Sequence, residues 1–186
     1  PALAGDARRG RVASMNPIHL LSHSDDWVSG RVHGWRPPRW VQVWMVASTR
    51  LGDGWAWLAL VVIAPARGDG RVGHALAEMM VAAVAVNAAQ VALKRAFRRE
   101  RPAVAVAWWD IHAPDQFSFP SGHTMNAFAV ATLVTMHVPL AAPLAFAAAA
   151  SVGASRVVLE LHYVSDVAAG ATLGTVLASL AAALVG

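Results

Sequence analysis

With 186 residues the chain is long enough for one domain, and 56% of its residues are hydrophobic whereas only 14% are charged. Soluble globular proteins carry about 25% charged residues, so this composition favours a protein that lies in a bilayer. The net charge is +4, and the chain contains no cysteine, which excludes disulfides and thiolate metal sites. Because the arginines flank apolar runs, anionic lipid headgroups or a phosphate substrate fit this charge better than nucleic acid does.

The first fifty residues predict a segment that lies along the membrane surface. Tryptophans and valines are mixed here with Arg31, Arg36 and Arg39, and six of the eight tryptophans fall between Trp27 and Trp57. Indole rings favour the headgroup region, and an apolar face beside basic residues is typical of an interfacial helix. We therefore divide the chain into an N-terminal amphipathic interfacial segment, residues 1–50, and a transmembrane catalytic domain, residues 51–186.

Four apolar runs approach the roughly 20 residues that a membrane-spanning helix needs. They are Val72–Leu93, Gly122–Val138, Leu140–Val158 and Tyr163–Val185. A shorter fifth candidate, Leu51–Ala66, carries Asp53. Gly170 and Gly174 form a pair of small residues four apart, which we interpret as ordinary close packing between helices.

Ionisable residues concentrate in three clusters. These are Lys94 with Arg101-Pro102, then Pro120-Ser121-Gly122-His123, then Ser155-Arg156 with His162 and Asp166. The loop from Lys94 to His123 stays on one side of the membrane, and the chain then crosses and returns before Ser155. All three clusters are therefore predicted to lie on one membrane face. Charge at membrane depth is expensive, so this convergence indicates a functional site.

These residue types suit the transfer of a phosphoryl group. Lys94, Arg101 and Arg156 can bind the phosphate oxygens, over which negative charge spreads in the transition state. Ser121 and Gly122 lie where a span begins, and the start of a helix offers free N–H donors to an anion. A glycine also lets the backbone approach closely.

Two histidines complete the predicted site. His162 and Asp166 are four residues apart at a helix start, so they share one face. Asp166 can hold one ring nitrogen while the other attacks phosphorus, and His123 can protonate the leaving oxygen. Water would then hydrolyse the phosphohistidine. No paired-ligand spacing supports a histidine metal site, so we expect neither a metal nor another cofactor.

In order and spacing, the three clusters resemble the tripartite signature of the type 2 phosphatidic acid phosphatase (PAP2) superfamily. The resemblance covers residues 94–166 and the spans around them. It implies an all-α fold, a polytopic transmembrane helical bundle. Typical members have six spans and this chain shows five candidates, so we expect five to six spans. It also implies a phosphohistidine at His162, orientation by Asp166, acid catalysis by His123, and phosphate binding by Lys94, Arg101, Ser121, Gly122 and Arg156.

The activity implied by this resemblance is that of a metal-independent lipid phosphatase in the bacterial cytoplasmic membrane. Its substrate would be an isoprenoid pyrophosphate, a polyprenyl-linked phosphate or a glycerolipid phosphate. Vanadium-dependent haloperoxidases share the signature, but they are soluble and much longer. A lipid phosphotransferase would use the same site, and a silent scaffold or lipid carrier would bind lipid phosphate without releasing phosphate.

Several other ionisable residues are interpreted as structural. Arg95, Arg98 and Arg99 form a positive flank at a helix end, and Glu78 inside a span pairs with His74 four residues away. The remaining histidines are assigned to surface or interfacial positions: His19, His23, His33, His112 and His137. The positive-inside rule places the site in the cytoplasm, whereas the resemblance places it on the outer face. We expect the outer face.

Overall fold

A computed structural model describes residues 25–32, 35–54, 72–102 and 115–186 of the chain. These residues form a short helix α1 (25–32) and five longer helices, with no β-strand among them. The longer helices are α2 (Arg39–Leu51), α3 (Val72–Phe97), α4 (Gly122–His137), α5 (Ala142–Val158) and α6 (Val164–Val185). The prediction of an all-α fold is confirmed, and the four long apolar runs are helices close to their predicted bounds.

Helix α4 lies at the centre of the bundle, between α3, α5 and α6. The core between α3, α4 and α6 consists of small and flexible apolar side chains, among them Met79, Val86, Met125 and Leu133. Helix α6 approaches α4 very closely at Gly174, where an added Cβ atom would lie 2.2 Å from the carbonyl oxygen of Met125. The pair of small residues therefore serves close helix packing, as the sequence analysis expected.

Helix α2 packs along α5 through polar contacts. The indole of Trp44 donates a hydrogen bond to the Ser151 hydroxyl at 2.7 Å, and Ser48 lies 2.8 Å from the same hydroxyl. Both tryptophans of α2, Trp40 and Trp44, are largely exposed. These contacts hold the end of α2 beside the C-terminal half of α5.

Three helical stretches in the described part are long and apolar enough to cross a membrane: Gly73–Phe97, Pro139–Val158 and Val164–Val185. Large apolar side chains such as Met80, Leu144 and Leu184 point away from the core and are exposed, as expected of a surface that faces lipid. Helix α4 has 16 residues, so it is about 24 Å long and shorter than a full span. The number of five to six spans stays a prediction, and residues 55–66 of the fifth candidate lie outside the described residues.

A buried carboxylate lies at the end of the bundle where α4 ends. Glu78 is 3.1 Å from His74 and 2.7 Å from His137, one imidazole at each carboxylate oxygen. The predicted pairing of His74 with Glu78 is confirmed. His137, which we had assigned to the surface without a partner, is a second partner of this carboxylate.

Candidate active site

The three signature clusters meet at the opposite end of the bundle, where α4 begins. They surround a cavity of about 320 Å³. Every described residue that lines it is polar, charged or glycine. Six of the eight predicted site residues are on this lining: Lys94, Arg101, Gly122, His123, Arg156 and His162. The other two, Ser121 and Asp166, are fully buried directly behind it.

The turn between α5 and α6 brings Arg156 and His162 together. Glu160 adopts a left-handed conformation with φ of 53°, which reverses the chain. The backbone N–H groups of Leu161 and His162 then both donate to the carbonyl oxygen of Arg156, at 3.0 and 3.1 Å. Two residues that are six apart in sequence are thus fixed on one wall of the cavity.

His162 is almost fully buried and has a different neighbour at each ring nitrogen. Its Nε2 lies 3.1 Å from Nη1 of Arg101. Because a guanidinium group only donates, Nε2 must accept, and the proton of the neutral ring then lies on Nδ1. Nδ1 faces Asp166, but the distance to Oδ2 is 3.6 Å, which is longer than a hydrogen bond. The expected partner is therefore adjacent, while the expected hydrogen bond is not formed.

Burial strongly favours the neutral form of His162. Removal from water, together with the positive charges of Arg156 and Arg101, lowers its pKa to about 3, although Asp166 opposes this shift. The ring is consequently neutral at neutral pH, and its Nε2 lone pair accepts the hydrogen bond of Arg101.

The cations of the first cluster are bound by a carboxylate that the sequence analysis did not identify. Asp115 accepts from Lys94 Nζ at 2.5 Å and from Arg101 Nη2 at 2.9 Å, while its backbone carbonyl accepts from Arg101 Nε at 3.0 Å. Burial raises the pKa of Asp115, but the hydrogen bonds and charges of Lys94 and Arg101 lower it below its usual value. One carboxylate thus bridges two of the three cations at the cavity.

The third cation and the second histidine are bound by residues at the end of α2. The Arg156 guanidinium donates to the hydroxyl of Thr49. The Nε2 atom of His123 lies 2.7 Å from Oδ1 of Asp53. These two partners lie on either side of the predicted boundary at residue 50, and sequence analysis had assigned neither of them to the site.

Ser121 and Gly122 form the junction at which α4 begins. The Ser121 N–H donates to the carbonyl oxygen of Asp166 at 3.0 Å, and its hydroxyl accepts from Thr124 at 2.9 Å. Gly122 lies against Gln90, whose side-chain oxygen would be 2.2 Å from an added Cβ atom. A larger residue at this position would require the end of the flexible Gln90 side chain to move.

The interpretation of Arg99 as a flanking charge is wrong. Its side chain is only 9% exposed and binds three groups: Asp25 at 2.6 Å, Ser165 at 2.6 Å and Asp166 at 2.9 Å. The guanidinium group also stacks on the ring of Tyr163, 4.1 Å from its centroid. Arg99 therefore connects α1 to the carboxylate beside His162. Its neighbours Arg95 and Arg98 are exposed, in agreement with their assignment.

A PAP2 superfamily model matches residues 75–186 of the chain. The decaprenylphosphoryl-5-phosphoribose phosphatase of Mycobacterium tuberculosis is 37% identical over 101 residues, which make up 53% of this chain and 54% of the relative. The chain thus spans about half the length of this curated relative.

Two crystal structures share the fold. One is a transmembrane PAP2 type phosphatidylglycerolphosphate phosphatase from Bacillus subtilis, with a TM-score of 0.73 and 30% identity, covering 90% of this chain and 88% of that one. The other is LpxE of Aquifex aeolicus, with a TM-score of 0.71 and 23% identity over 85% of this chain and 94% of that one. At this lower identity the second likeness concerns the fold alone.

Proposed function

The chain belongs to the PAP2 superfamily, and from this premise we propose that it is an integral membrane phosphatase that hydrolyses a phosphomonoester or pyrophosphate on a lipid. One observation carries the proposal. Three cationic side chains and two imidazoles from remote parts of the chain line one cavity, at one end of a bundle that contains membrane-spanning helices.

We assign the nucleophile to Nε2 of His162. His162 lines the cavity and its ring is neutral. The Nε2 lone pair, which accepts a hydrogen bond from Arg101 in this structure, can form a bond to phosphorus once Arg101 turns to the phosphate oxygens. As the N–P bond forms, the bond from phosphorus to the lipid oxygen breaks. The reaction places positive charge on a buried ring, and the adjacent carboxylate of Asp166 stabilises that charge. A shortening of the 3.6 Å separation would complete this contact.

The proposed general acid is His123, which donates a proton to the departing oxygen. Water then attacks the phosphohistidine, with His123 now accepting a proton, and inorganic phosphate leaves. Asp53 holds the ring through its 2.7 Å contact. Burial and the charge of Arg156 lower the pKa of His123 to about 4 while Asp53 opposes them, so the proposed acid role requires the negative charge of a bound phosphate to restore the proton of the ring.

Lys94, Arg101 and Arg156 are the proposed ligands of the phosphate oxygens, together with the backbone N–H groups at the start of α4, including Gly122. Ser121 supports this junction from behind. These cations supply the positive charge that a metal supplies in other phosphatases. We therefore expect turnover in the presence of a chelator and inhibition by vanadate, which adopts the five-coordinate geometry of the transition state.

The proposed substrate is a lipid whose phosphate group lies at the membrane surface. It is an isoprenoid pyrophosphate, a polyprenyl-linked phosphate or a glycerolipid phosphate. The relatives named above act on a polyprenyl-linked sugar phosphate and on a glycerolipid phosphate. We further propose that the site faces the outside of the bacterial cytoplasmic membrane. Labelling a cysteine at Asp110 with an impermeant reagent in intact cells checks this orientation, and no labelling would reverse it.

Trapping the covalent intermediate tests the chemistry. Protein quenched during turnover of a radiolabelled lipid phosphate should carry label that is stable to alkali and lost in acid, as expected of phosphohistidine. His162→Ala should abolish labelling and turnover, whereas Asp166→Asn should slow both. His137→Gln is the matched control, because that imidazole lies at the other end of α4. Full turnover by His162→Ala would refute the mechanism. Label appearing on an added acceptor lipid, with little free phosphate, would identify a phosphotransferase instead.

A further inference from the structure

The end of helix α2 contacts two of the signature residues that line the cavity. The Thr49 hydroxyl accepts a hydrogen bond from the Arg156 guanidinium, and Oδ1 of Asp53 lies 2.7 Å from Nε2 of His123. These contacts join residues that are 107 and 70 positions apart in sequence. Thr49 and Asp53 precede the segment 75–186 that matches the PAP2 model, so the family likeness assigns no role to either.

The same segment is packed tightly against the site. Thr49 is only 2% exposed, and Gly52 and Asp53 line the cavity. A Cβ atom added at Gly52 would lie 2.9 Å from Cδ2 of His123, so the glycine backbone lies directly against the imidazole ring. The end of α2 therefore forms one wall of the cavity, and its position determines what surrounds the His123 ring.

The contact with Thr49 restrains a guanidinium group that is almost fully buried. Arg156 is 2% exposed, and its Nη1 donates to Thr49, whereas its Nε has no hydrogen-bond partner among the described residues. A buried donor without an acceptor is costly, and a phosphate oxygen in the cavity would supply the acceptor. Because the guanidinium group is planar, a bond from one nitrogen to Thr49 also limits the directions in which the other nitrogens point.

The contact with Asp53 gives His123 a carboxylate partner of its own. Because a carboxylate only accepts, Nε2 of His123 donates to it, and Nδ1 is left to carry the transferable proton. Burial and the charge of Arg156 lower the pKa of His123 to about 4, and the hydrogen bond and charge of Asp53 oppose this shift. Each imidazole of the site thus has one adjacent carboxylate, Asp166 for His162 and Asp53 for His123.

We propose that Thr49 and Asp53 are positioning residues of the phosphatase: Thr49 orients Arg156 toward the phosphate oxygens, and Asp53 orients His123 and stabilises its protonated form. This inference rests on the proposed function and extends the catalytic unit back across the predicted boundary at residue 50. The two roles differ in what they affect. Loss of Thr49 weakens the binding of any phosphoryl group, whereas loss of Asp53 slows only reactions whose leaving oxygen needs a proton.

The ratio of two substrates tests the role of Asp53. One substrate is the better of phosphatidic acid and phosphatidylglycerophosphate in detergent micelles, and the other is p-nitrophenyl phosphate, whose leaving group needs no proton. Asp53→Asn should lower kcat on the lipid by about 10–100-fold, a part of what a general acid contributes, and much less on p-nitrophenyl phosphate. In a His123→Ala background the same substitution should no longer change this ratio. Asp26→Asn, at an exposed position, is the matched control and should leave the ratio unchanged.

Inhibition by vanadate tests the role of Thr49. Thr49→Val preserves the shape of the side chain and removes its hydroxyl, so it should weaken vanadate inhibition and raise KM by about tenfold on both substrates, as expected for one hydrogen bond to a charged group. Thr49→Ser keeps the hydroxyl and should restore both values. Thr172→Val is the matched control, because that hydroxyl bonds to the carbonyl of Ala168 on the exposed surface of α6.

The outcomes separate this inference from the proposed function. A wild type that releases phosphate from none of these substrates overturns the phosphatase function itself. In an active wild type, an equal loss on both substrates in Asp53→Asn overturns the role of Asp53. Unchanged vanadate inhibition in Thr49→Val, or no recovery in Thr49→Ser, overturns the role of Thr49. Both ratios are internal to one preparation, so a partly unfolded variant does not imitate either result.

Discussion

Replacing Asp25 by asparagine removes one negative charge from a buried network and preserves the size of the side chain. The carboxylate accepts from Arg99 at 2.6 Å, and from the N–H and hydroxyl of Ser165 at 3.0 and 2.5 Å. It therefore joins the first turn of α6 to a residue 140 positions earlier. Asn retains one accepting oxygen, so Arg99 loses one of its two charged partners and keeps Asp166, while it remains 9% exposed.

Hydrogen bonds to charged groups contribute about 1.5–3 kcal/mol each, and one such bond plus part of another is lost. We expect Asp25→Asn to reduce stability by about 2–4 kcal/mol, which corresponds to a fall in Tm of about 5–15 °C for a chain of this length. The activity should also fall. Arg99 then pairs with Asp166 alone, and this stronger pairing reduces the ability of Asp166 to stabilise positive charge on His162.

Thermal unfolding in detergent, followed by tryptophan fluorescence, measures this change. Asp26→Asn is the matched control, since it removes the same charge from the neighbouring exposed position. A double-mutant cycle with Arg99→Lys should give a coupling energy above about 1 kcal/mol. If the two asparagine variants unfold at the same temperature, or if the cycle is additive within about 0.5 kcal/mol, the buried network does not stabilise the site.

Three further changes have definite expected results. Gly174→Ala should destabilise the bundle by about 1–3 kcal/mol because the added methyl group meets the backbone of Met125. The control Gly73→Ala has open space around it and should be neutral or stabilising. Equal unfolding temperatures of the two variants would contradict this close helix packing. Below about pH 6.5 the histidine of the unfolded chain binds a proton, whereas folded His162 stays neutral down to about pH 3. The wild type should therefore lose up to about 1.4 kcal/mol of stability per pH unit in this range relative to His162→Asn. Parallel plots of stability against pH for the two proteins would refute this. His123→Ala should lower kcat by about 10²–10⁴-fold on an alkyl phosphate but much less on p-nitrophenyl phosphate, whose leaving group needs no proton; equal losses on both would exclude the general acid role.

The sequence predicts the helices of the bundle well because a long apolar run in a bilayer has few alternatives to a helix. It also predicts that Lys94, His123 and Arg156 meet, since each crossing of the membrane fixes the side on which the next loop lies. The structure brings these residues to one cavity, as that argument expects.

The partners of these residues are not predictable in the same way. Three arginines between positions 95 and 99 have the same local environment in sequence, and only the approach of α1 and of the start of α6 distinguishes Arg99 from the others. Asp25 and Asp115 lie outside the apolar runs, and Asp53 lies at the start of the shorter candidate Leu51–Ala66. At such positions an acidic residue costs little and does not indicate a functional role. Their contacts depend on tertiary packing across many residues, which periodicity and spacing do not encode.

The bridge that Asp115 makes between Lys94 and Arg101 bears on how a turnover ends. A tethered carboxylate competes with any diffusing anion at a high effective concentration, so it rebinds the cations as soon as a product loosens. A lipid phosphate also binds through the rest of its headgroup and its chain, so it can displace the Asp115 carboxylate. Free orthophosphate has no such additional contacts. We therefore expect the protein to discharge orthophosphate readily and to keep working where that ion is abundant.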